Sequence, residues 1–299
     1  MTERRTTLDS RAIVLVVVCT ALWGLNQVAT KVSLAEIPPL MQASARSLGA
    51  ALLLALWARA RGLSVWRHDG TWRAGLLAGL LFAAEFGCIF FGLQYTSASR
   101  MAVFIYLAPF IVALGMPLIA PAERLDRWQS LGLAAAFAGV VWAFADGFTA
   151  PAAGPKQWLG DTLGIAAAVL WGMTTLVLRG SRLSSALPEK TLLYQLLVSG
   201  LALAAATLVA GEPWPARLTG ASLWPLAFQT AVVTFASYLV WFWLLRHYPA
   251  TRISAFTLLT PMFGLLAGVL LLGEPVTARL LVALAAVSLG IALVNRVGR

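Results

Sequence analysis

Long apolar stretches constrain the fold of this chain more than any other feature. Ten of them reach the roughly 20 residues that a helix needs to cross the hydrocarbon core of a bilayer, and they cover residues 12–34, 39–58, 71–93, 98–120, 128–145, 158–178, 191–210, 223–245, 252–272 and 276–294. Only 11% of the residues are charged, whereas a soluble domain carries about 25%. The sequence therefore predicts an all-α integral membrane protein with ten transmembrane helices.

The net charge of +10 comes from basic residues that stand in short runs between the apolar stretches. This distribution excludes the continuous basic patch of a nucleic-acid-binding protein. Of the 22 lysines and arginines, sixteen fall on one side of the predicted helices, five fall on the other, and Arg46 lies within a span. Because basic loops stay in the cytoplasm, the asymmetry predicts a multi-pass protein of the cell inner membrane with both termini in the cytoplasm.

The two halves of the chain resemble each other at spacings of 148 to 152 residues. The matching positions keep their order, and they are Trp23-Gly24 with Trp171-Gly172, Arg100 with Arg252, Pro109 with Pro261, Glu123 with Glu274, and Gly139 with Gly290. Each half, residues 1–145 and residues 146–299, contains five predicted spans, so the second half must enter the membrane from the opposite side. The sequence thus predicts a 5+5 inverted-topology repeat, an arrangement that serves alternating access in transporters.

Two prolines, Pro109 and Pro261, fall near the middle of predicted spans four and nine. A proline inside a helix removes one backbone hydrogen bond and frees the carbonyl four residues earlier, here those of Ile105 and Thr257. Interrupted helices at matching depths in two repeats indicate a substrate site at the repeat interface. The alternative is a pair of kinks that neighbouring helices satisfy without any role in binding.

The carboxylate of Glu85 lies near the middle of predicted span three, where a lone charge is costly. Helix geometry gives Arg46 in span two and Asn26 in span one nearly the same depth. An ion pair with Arg46 would satisfy the carboxylate. A neutral carboxyl group that faces a cavity, or a carboxylate that binds a cationic group, would also explain its position.

Five aromatic residues lie well inside their spans rather than in the interfacial belt where tryptophan and tyrosine are enriched. Their N–H and O–H groups need partners when buried, which favours contacts with protein or with a hydrated cavity over lipid. Ordinary packing between helices is the alternative. The predicted substrate-binding set joins these aromatic residues to three polar ones, and it consists of Trp23, Asn26, Glu85, Tyr106, Trp171, Tyr238, Trp241 and Thr257.

Several motifs together point to a known family. They are the Trp-Gly pairs of spans one and six, Arg46, Leu107-Ala108-Pro109 with Glu123, and Leu259-Thr260-Pro261 with Gly273-Glu274. In these motifs the chain resembles the EamA branch of the drug/metabolite transporter superfamily, and its length, span number and aromatic content resemble the YddG-type exporters of aromatic amino acids. The resemblance implies a cavity formed chiefly by spans one, three, four, six, eight and nine. One departure is that Gln195 stands where the second half would repeat Arg46.

These observations favour a secondary active transporter that exports small organic metabolites, above all aromatic amino acids. Other metabolites or cationic drugs are the alternative substrates. A membrane-embedded enzyme is less favoured, because the spans contain no nucleophile–base pair and no set of metal ligands. We therefore expect a small-molecule substrate, surroundings of lipid, and no cofactor, metal or nucleic acid, while the sequence leaves open whether the chain is a monomer or a homodimer.

Overall fold

The computed structural model describes residues 5, 7–149, 151, 154–272 and 278–296. Within these residues the regular structure is helical throughout, with no β-strand. Eight helical stretches in this part of the chain are at least 18 residues long and apolar enough to cross a membrane. The prediction of an all-α fold is confirmed for these residues, whereas the ten-span count and the 5+5 repeat stay predictions.

We number the long helices in chain order. They are α1 (Ser10–Ser33), α2 (Pro39–Ala60), α3 (Trp72–Gly92), α4 (Ala98–Ile119), α5 (Arg127–Ala143), α6 (Gln157–Gly180), α7 (Pro188–Val209), α8 (Gly220–His247), α9 (Ala250–Leu271) and α10 (Ala278–Val294). Helices α5 and α10, with 17 residues each, are the shorter two. Gly273 and Glu274, which belong to the matched motifs, lie outside the described residues.

Local sequence explains where several helices begin. The Asp9 carboxylate accepts the backbone N–H of Ala12 at the start of α1. A capping box formed by Asp126 and Gln129 begins α5, and both devices satisfy N–H groups that have no partner within the helix. Helices α2 and α7 begin with a proline, which suits the first helical position because that N–H would be unbonded in any case.

Two long helices are interrupted immediately before a proline. Helix α4 is α-helical over Ala98–Ile105, breaks, and resumes over Ala108–Ile119 with Pro109 in its first turn. Helix α9 tightens to a 3₁₀ turn over Phe256–Leu259, just before Pro261. The cause is the missing N–H and the steric demand of the proline ring, which the preceding turn must accommodate.

The packing of α1 on α9 resembles the packing of α6 on α4. A Cβ atom added to Gly24 of α1 would lie 2.6 Å from the backbone nitrogen of Gly264 in α9, and one added to Gly172 of α6 would lie 2.5 Å from Cβ of Ile111 in α4. Only glycine permits such close approach. Helix α3 packs on α6 and α7, α8 packs on α1 and α2, and α5 packs along α10.

The helix termini gather at two opposite ends of the bundle. At one end, three hydrogen bonds connect these termini. Tyr248, just before α9, bonds to Asp9 at the start of α1, and Thr251 at the start of α9 bonds to Glu123 in the α4–α5 connection. Gln129 near the start of α5 bonds to Arg296 just after α10. We call this the Arg179 end and the opposite one the Lys31 end. Since Lys31 is near the end of α1 and Arg179 near the end of α6, these two helices run in opposite directions.

Candidate substrate-binding site

A cavity of about 260 Å³ lies in the middle of the bundle, and we call it the central cavity. This volume lies close to the lower end of the range of about 300–1,000 Å³ for small-molecule sites, so the space suits no more than one small metabolite. Its aromatic lining residues are Trp23, Phe82, Phe86, Tyr106, Trp171, Tyr238, Trp241 and Phe242. Its polar lining residues are Asn26, Gln27, Glu85, Thr174, Thr175, Gln195 and Thr260.

One aromatic wall of the central cavity joins α1 to α8. The ring of Trp23 meets the rings of Trp241 and Tyr238 edge to face, at centroid distances of 5.1 and 5.7 Å. Its indole N–H donates to Ser237 Oγ at 2.8 Å, at the end of the π-helical segment Gln229–Ser237 of α8. This hydrogen bond satisfies the polar group of a buried tryptophan and fixes the orientation of its ring.

The second aromatic wall joins α4 to α6. Tyr106 lies at the break of α4, and its ring centroid is 6.0 Å from that of Trp171. Thr174 and Thr175, one turn further along α6, continue the same lining surface. The interruption of α4 therefore falls at a residue that lines the cavity.

Three amide or carboxyl side chains line the central cavity with a buried oxygen that has no hydrogen-bond partner among the residues that the structure describes. They are Asn26 Oδ1, Glu85 Oε2 and Gln195 Oε1. An unsatisfied buried polar atom costs about 1–3 kcal/mol. The fold retains three of them on one surface, which makes that surface suited to a polar ligand group.

A second cavity, of about 470 Å³, adjoins the first and reaches the Lys31 end through Lys31, Leu34 and Leu93. We call it the vestibule. The residues that line both cavities form the junction between them, and they are Asn26, Gln27, Phe86, Ile89, Tyr106 and Tyr238.

Arg46 lines the vestibule, while Glu85 lines the central cavity. The guanidinium carbon of Arg46 lies 4.6 Å from the ring centroid of Phe86, a cation–π contact. The ion pair that their similar depth allowed does not form, because no nitrogen of Arg46 lies within 4.0 Å of an oxygen of Glu85, both of which the structure describes. The two charges are thus neighbours without being partners.

The Arg179 end is closed by a buried polar cluster. The guanidinium of Arg179 pairs with Glu123, and its Nη1 donates to the backbone carbonyls of Leu245 at 2.6 Å and Tyr248 at 3.4 Å. The backbone N–H of Thr251 donates to Glu123 Oε2 at 3.4 Å. We call these five residues the Glu123–Arg179 cluster. A gap of about 20 Å³ is lined by Arg179 and Leu245 of the cluster and shares Leu178 and Phe242 with the central cavity.

Seven of the eight predicted binding residues line the central cavity, namely Trp23, Asn26, Glu85, Tyr106, Trp171, Tyr238 and Trp241. Thr257 does not line it, because it lies in the 3₁₀ turn of α9, and its hydroxyl donates to the Ser254 carbonyl at 2.7 Å. Thr257 and Pro109 border a separate gap too narrow for water. Pro261 is buried in the first turn after the 3₁₀ segment, and Thr260 beside it lines the cavity.

Several lining residues lie outside the predicted set. Phe82 and Ile89 stand three residues before and four after Glu85, and Thr174 and Thr175 stand three and four after Trp171. Residues at this spacing share a helix face, so the helical period around each predicted residue was the signal that could have found them. For Gln195 of α7, the signal in the sequence was its correspondence to Arg46 of α2. Spans two and seven therefore also contribute lining residues, Arg46 to the vestibule and Gln195 to the central cavity.

The lining residues offer binding groups rather than catalytic ones. Glu85 is the one carboxylate that borders either cavity in the part of the chain that the structure describes. Among the described residues no three histidine, cysteine, aspartate or glutamate side chains are grouped to hold a metal ion. The arrangement can bind and orient a small amphipathic solute.

Comparisons with known proteins agree with a transport role. The sequence model described as "EamA-like transporter family" matches residues 10–145 and again residues 158–296. The chain is 28% identical to the transporter YvbV of Bacillus subtilis (strain 168), over 96% of this chain and 92% of that protein. It is 28% identical to the "Probable amino-acid metabolite efflux pump" of Escherichia coli (strain K12), over 88% of each. A crystal structure with 19% sequence identity has the same fold, with a TM-score of 0.82 over 96% of both chains.

Proposed function

The chain belongs to the EamA-like transporter family, and from this premise we propose that it is a secondary active exporter of aromatic amino acids and similar small metabolites. Membership makes it a multi-pass membrane protein and a transporter rather than an enzyme, as the sequence predicts. The substrate class is inferred from the central cavity.

One observation carries this proposal: aromatic rings and unpartnered polar atoms line the same metabolite-sized space. An aromatic amino acid has the matching composition, since an apolar ring is joined to an ammonium and a carboxylate group. The rings of Trp23, Trp171 and Trp241 can stack on the substrate ring, which is worth about 0.5–1.5 kcal/mol per contact. The relatives described as probable amino-acid metabolite efflux pumps, one in Escherichia coli (strain K12) and one in Salmonella typhimurium, support an amino-acid metabolite.

Support for a 5+5 inverted repeat, with halves 1–145 and 146–299, comes from the symmetry of the packing. Exchanging each helix for the one five places away converts the α1–α9 contact into α6–α4 and the α3–α6 contact into α8–α1. It converts α3–α7 into α8–α2 and leaves α2–α7 and α5–α10 unchanged. The family model also matches once in each half.

The proposed mechanism is alternating access around the central cavity. The vestibule connects the cavity to the Lys31 end, while the Glu123–Arg179 cluster closes the other end. The described terminal residues lie at the Arg179 end, together with the loops that carry most of the basic residues. By the charge rule we assign this end to the cytoplasm of an inner membrane, so the vestibule faces outward.

Within this mechanism Pro109 and Pro261 are proposed to act as hinges rather than as contacts. Each stands just after an interruption of its helix, in α4 or α9. Thr257 is proposed to stabilise the 3₁₀ turn of α9 through its bond to Ser254. The residues that touch the substrate are then the seven that line the central cavity.

The proposal is tested with purified protein in liposomes, by measuring the flux of labelled phenylalanine and labelled alanine. We expect saturable phenylalanine flux, and Trp171→Ala is expected to reduce it about tenfold relative to alanine flux because one aromatic contact is lost. Trp66→Ala is the matched control, since Trp66 is 70% exposed and borders neither cavity. Absence of phenylalanine flux in the wild type, or equal losses of both fluxes in Trp171→Ala, would contradict the proposal.

Export of cationic drugs is the second candidate, favoured by the carboxylate of Glu85 in the cavity lining. A transporter of this kind would bind a lipophilic cation that has no carboxylate. The same liposomes distinguish the two candidates: inhibition of phenylalanine flux by aromatic zwitterions but not by aromatic cations supports the amino-acid exporter, and the reverse supports the drug exporter.

A further inference from the structure

We propose that the junction between the two cavities recognises the two charged groups of an amino acid separately, with the carboxylate on Arg46 and the ammonium on Glu85. This inference rests on the proposed function and goes beyond it by assigning each end of the substrate to a residue. Arg46 thereby becomes a substrate-binding residue, in addition to those predicted from the sequence.

The first support is the burial of two opposite charges that do not pair. Arg46 is 5% exposed and Glu85 is 7% exposed. Burial of an ionised group without a partner costs several kcal/mol, yet neither Arg46 Nε nor Glu85 Oε2 has a hydrogen-bond partner among the described residues. A zwitterion supplies the missing partner to each of them at once.

The second support is the position of the two groups on either side of the junction. Arg46 borders the vestibule and Glu85 borders the central cavity, while Phe86 and Tyr238 border both. The guanidinium group is held over the Phe86 ring, 4.6 Å from its centroid, next in sequence to Glu85. The charged groups of an amino acid bound at the junction would therefore be separated, with the carboxylate on the vestibule side and the ammonium on the side of the central cavity.

The third support concerns the rest of the substrate. Glu85 and the rings of Trp23, Trp171 and Trp241 share the central cavity. An ammonium group on Glu85 thus leaves the aromatic side chain within this cavity. The unpartnered Oδ1 of Asn26, which also borders both cavities, is an additional acceptor for an ammonium N–H.

The second half of the chain shows that the Arg46 position does not need a charge for packing. Its counterpart on α7 is Gln195, 5% exposed, and α2 and α7 pack against each other. An uncharged side chain of similar length is therefore buried in the equivalent place. Arginine instead of glutamine at position 46 adds a cation that can bind a carboxylate with two parallel hydrogen bonds.

The test uses three probes of the same ring and different charge: phenylalanine, phenethylamine without the carboxylate, and 3-phenylpropionate without the ammonium. Binding to the purified full-length protein is measured by calorimetry. For Arg46→Gln we expect phenylalanine and phenylpropionate to bind at least about tenfold more weakly, and phenethylamine to keep its affinity. For Glu85→Gln we expect the opposite pattern, with loss for phenylalanine and phenethylamine only.

Arg73→Gln and Glu189→Gln serve as matched controls, since they remove the same charges at positions that border neither cavity. If a variant does not fold, the affinities of the wild type for the three probes still test the assignment. Binding of phenethylamine or phenylpropionate as tight as that of phenylalanine would overturn it. Equal losses for all three probes in a folded variant would overturn it as well, while phenylalanine flux in liposomes would leave the proposed function standing. A wild type that binds only a lipophilic cation would overturn the proposed function itself.

Discussion

The two ends of the bundle differ in how their polar groups are used. At the Arg179 end, the side chains of Arg179 and Glu123 are 3% and 8% exposed, and they bind each other and the backbone of α8 and α9. At the Lys31 end, the side chain of Lys31 is exposed and lines an open vestibule of about 470 Å³. The Arg179 end therefore has a fully buried ion pair between its helix termini, whereas at the other end Lys31 lies in an accessible space and the Arg100–Asp161 pair is less buried.

The difference is instructive because both cations occupy corresponding places. Lys31 precedes Arg179 by 148 residues, the spacing that also separates Trp23 from Trp171. Polar contacts suit a closure that must open again, since water can satisfy both charges once they separate, whereas separated apolar surfaces gain nothing from water. Under the proposed alternating-access mechanism, we expect opening and closing to depend on how these terminal charges are paired.

The largest expected effect comes from breaking the closed end. Arg179→Met leaves the carboxylate of Glu123 buried without its partner, which costs about 3–5 kcal/mol. We expect a large fall in thermal stability and loss of phenylalanine flux in liposomes. Arg124→Met, at the neighbouring loop position, is the control for loss of a basic residue. Wild-type flux in Arg179→Met would show that the cluster does not control closure.

A double variant makes this prediction sharper. Replacing a buried ion pair by apolar residues of similar size is often neutral or stabilising by about 1–4 kcal/mol, so Arg179→Met with Glu123→Leu should recover the stability that the single variant loses. Flux should stay low, because an apolar closure cannot be solvated when the end opens. Recovery of both properties together would mean that the pair serves stability alone.

A second expected effect is a difference in chemical accessibility between the two ends. In a variant with Cys19 and Cys88 replaced by alanine, Leu93→Cys in the vestibule should react with an impermeant thiol reagent added to whole cells. Leu183→Cys, 3% exposed beside Arg179, should react slowly from either side. Pro155→Cys, exposed before α6, is the accessible control for the Lys31 end, and its labelling only from the cytoplasmic side would reverse the proposed orientation.

Much of the fold could be predicted from the sequence because hydropathy and helix length are local properties. The register within an interrupted helix could not. A regular α-helix advances 3.6 residues per turn and a 3₁₀ segment 3.0, so the tightened turn of α9 rotates later side chains. That change brings Thr260, and not the predicted Thr257, to the cavity. Likewise, nothing in the local sequence distinguishes Arg179 from an ordinary loop cation. Its partner Glu123 is 56 residues away, and only the fold brings the two side chains into contact.

The third expected effect is a moderate loss of flux when a helix interruption is removed. Pro109→Ala or Pro261→Ala allows α4 or α9 to continue as a regular helix, which moves the residues before it relative to the cavity. We expect phenylalanine flux to fall about fivefold in each variant, with membrane insertion unchanged. Pro225→Ala in α8, away from both cavities, is the control. Unchanged flux in both variants would mean that the two prolines do not act as hinges.

The smallest expected effect concerns a half-buried ion pair at the closed end. Lys190 Nζ lies 2.7 Å from the Asp69 carboxylate, and the hydrogen bond from Lys190, followed by that from Thr71, lowers the pKa of Asp69 to about 2. Because this pKa lies below the ordinary value of 3.8, the pair adds stability above that pH and loses it as the pH falls towards 2. Asp69 is 38% exposed, so solvent screens its charge. Lys190 is buried, but it keeps its hydrogen bond to the Arg67 carbonyl when the carboxylate is removed, and the effect is therefore small.

We therefore expect Asp69→Asn to lower the unfolding temperature by about 2 °C at pH 7. The difference from the wild type should be constant down to about pH 5, shrink below about pH 4, and vanish near pH 2, as the linkage between protonation and stability requires. Glu189→Gln, next to Lys190, controls for the loss of a negative charge at the same end. An unfolding temperature equal to that of the wild type at every pH would mean that Asp69 acts through its hydrogen bonds with Thr71, which the asparagine can keep, and not through its charge.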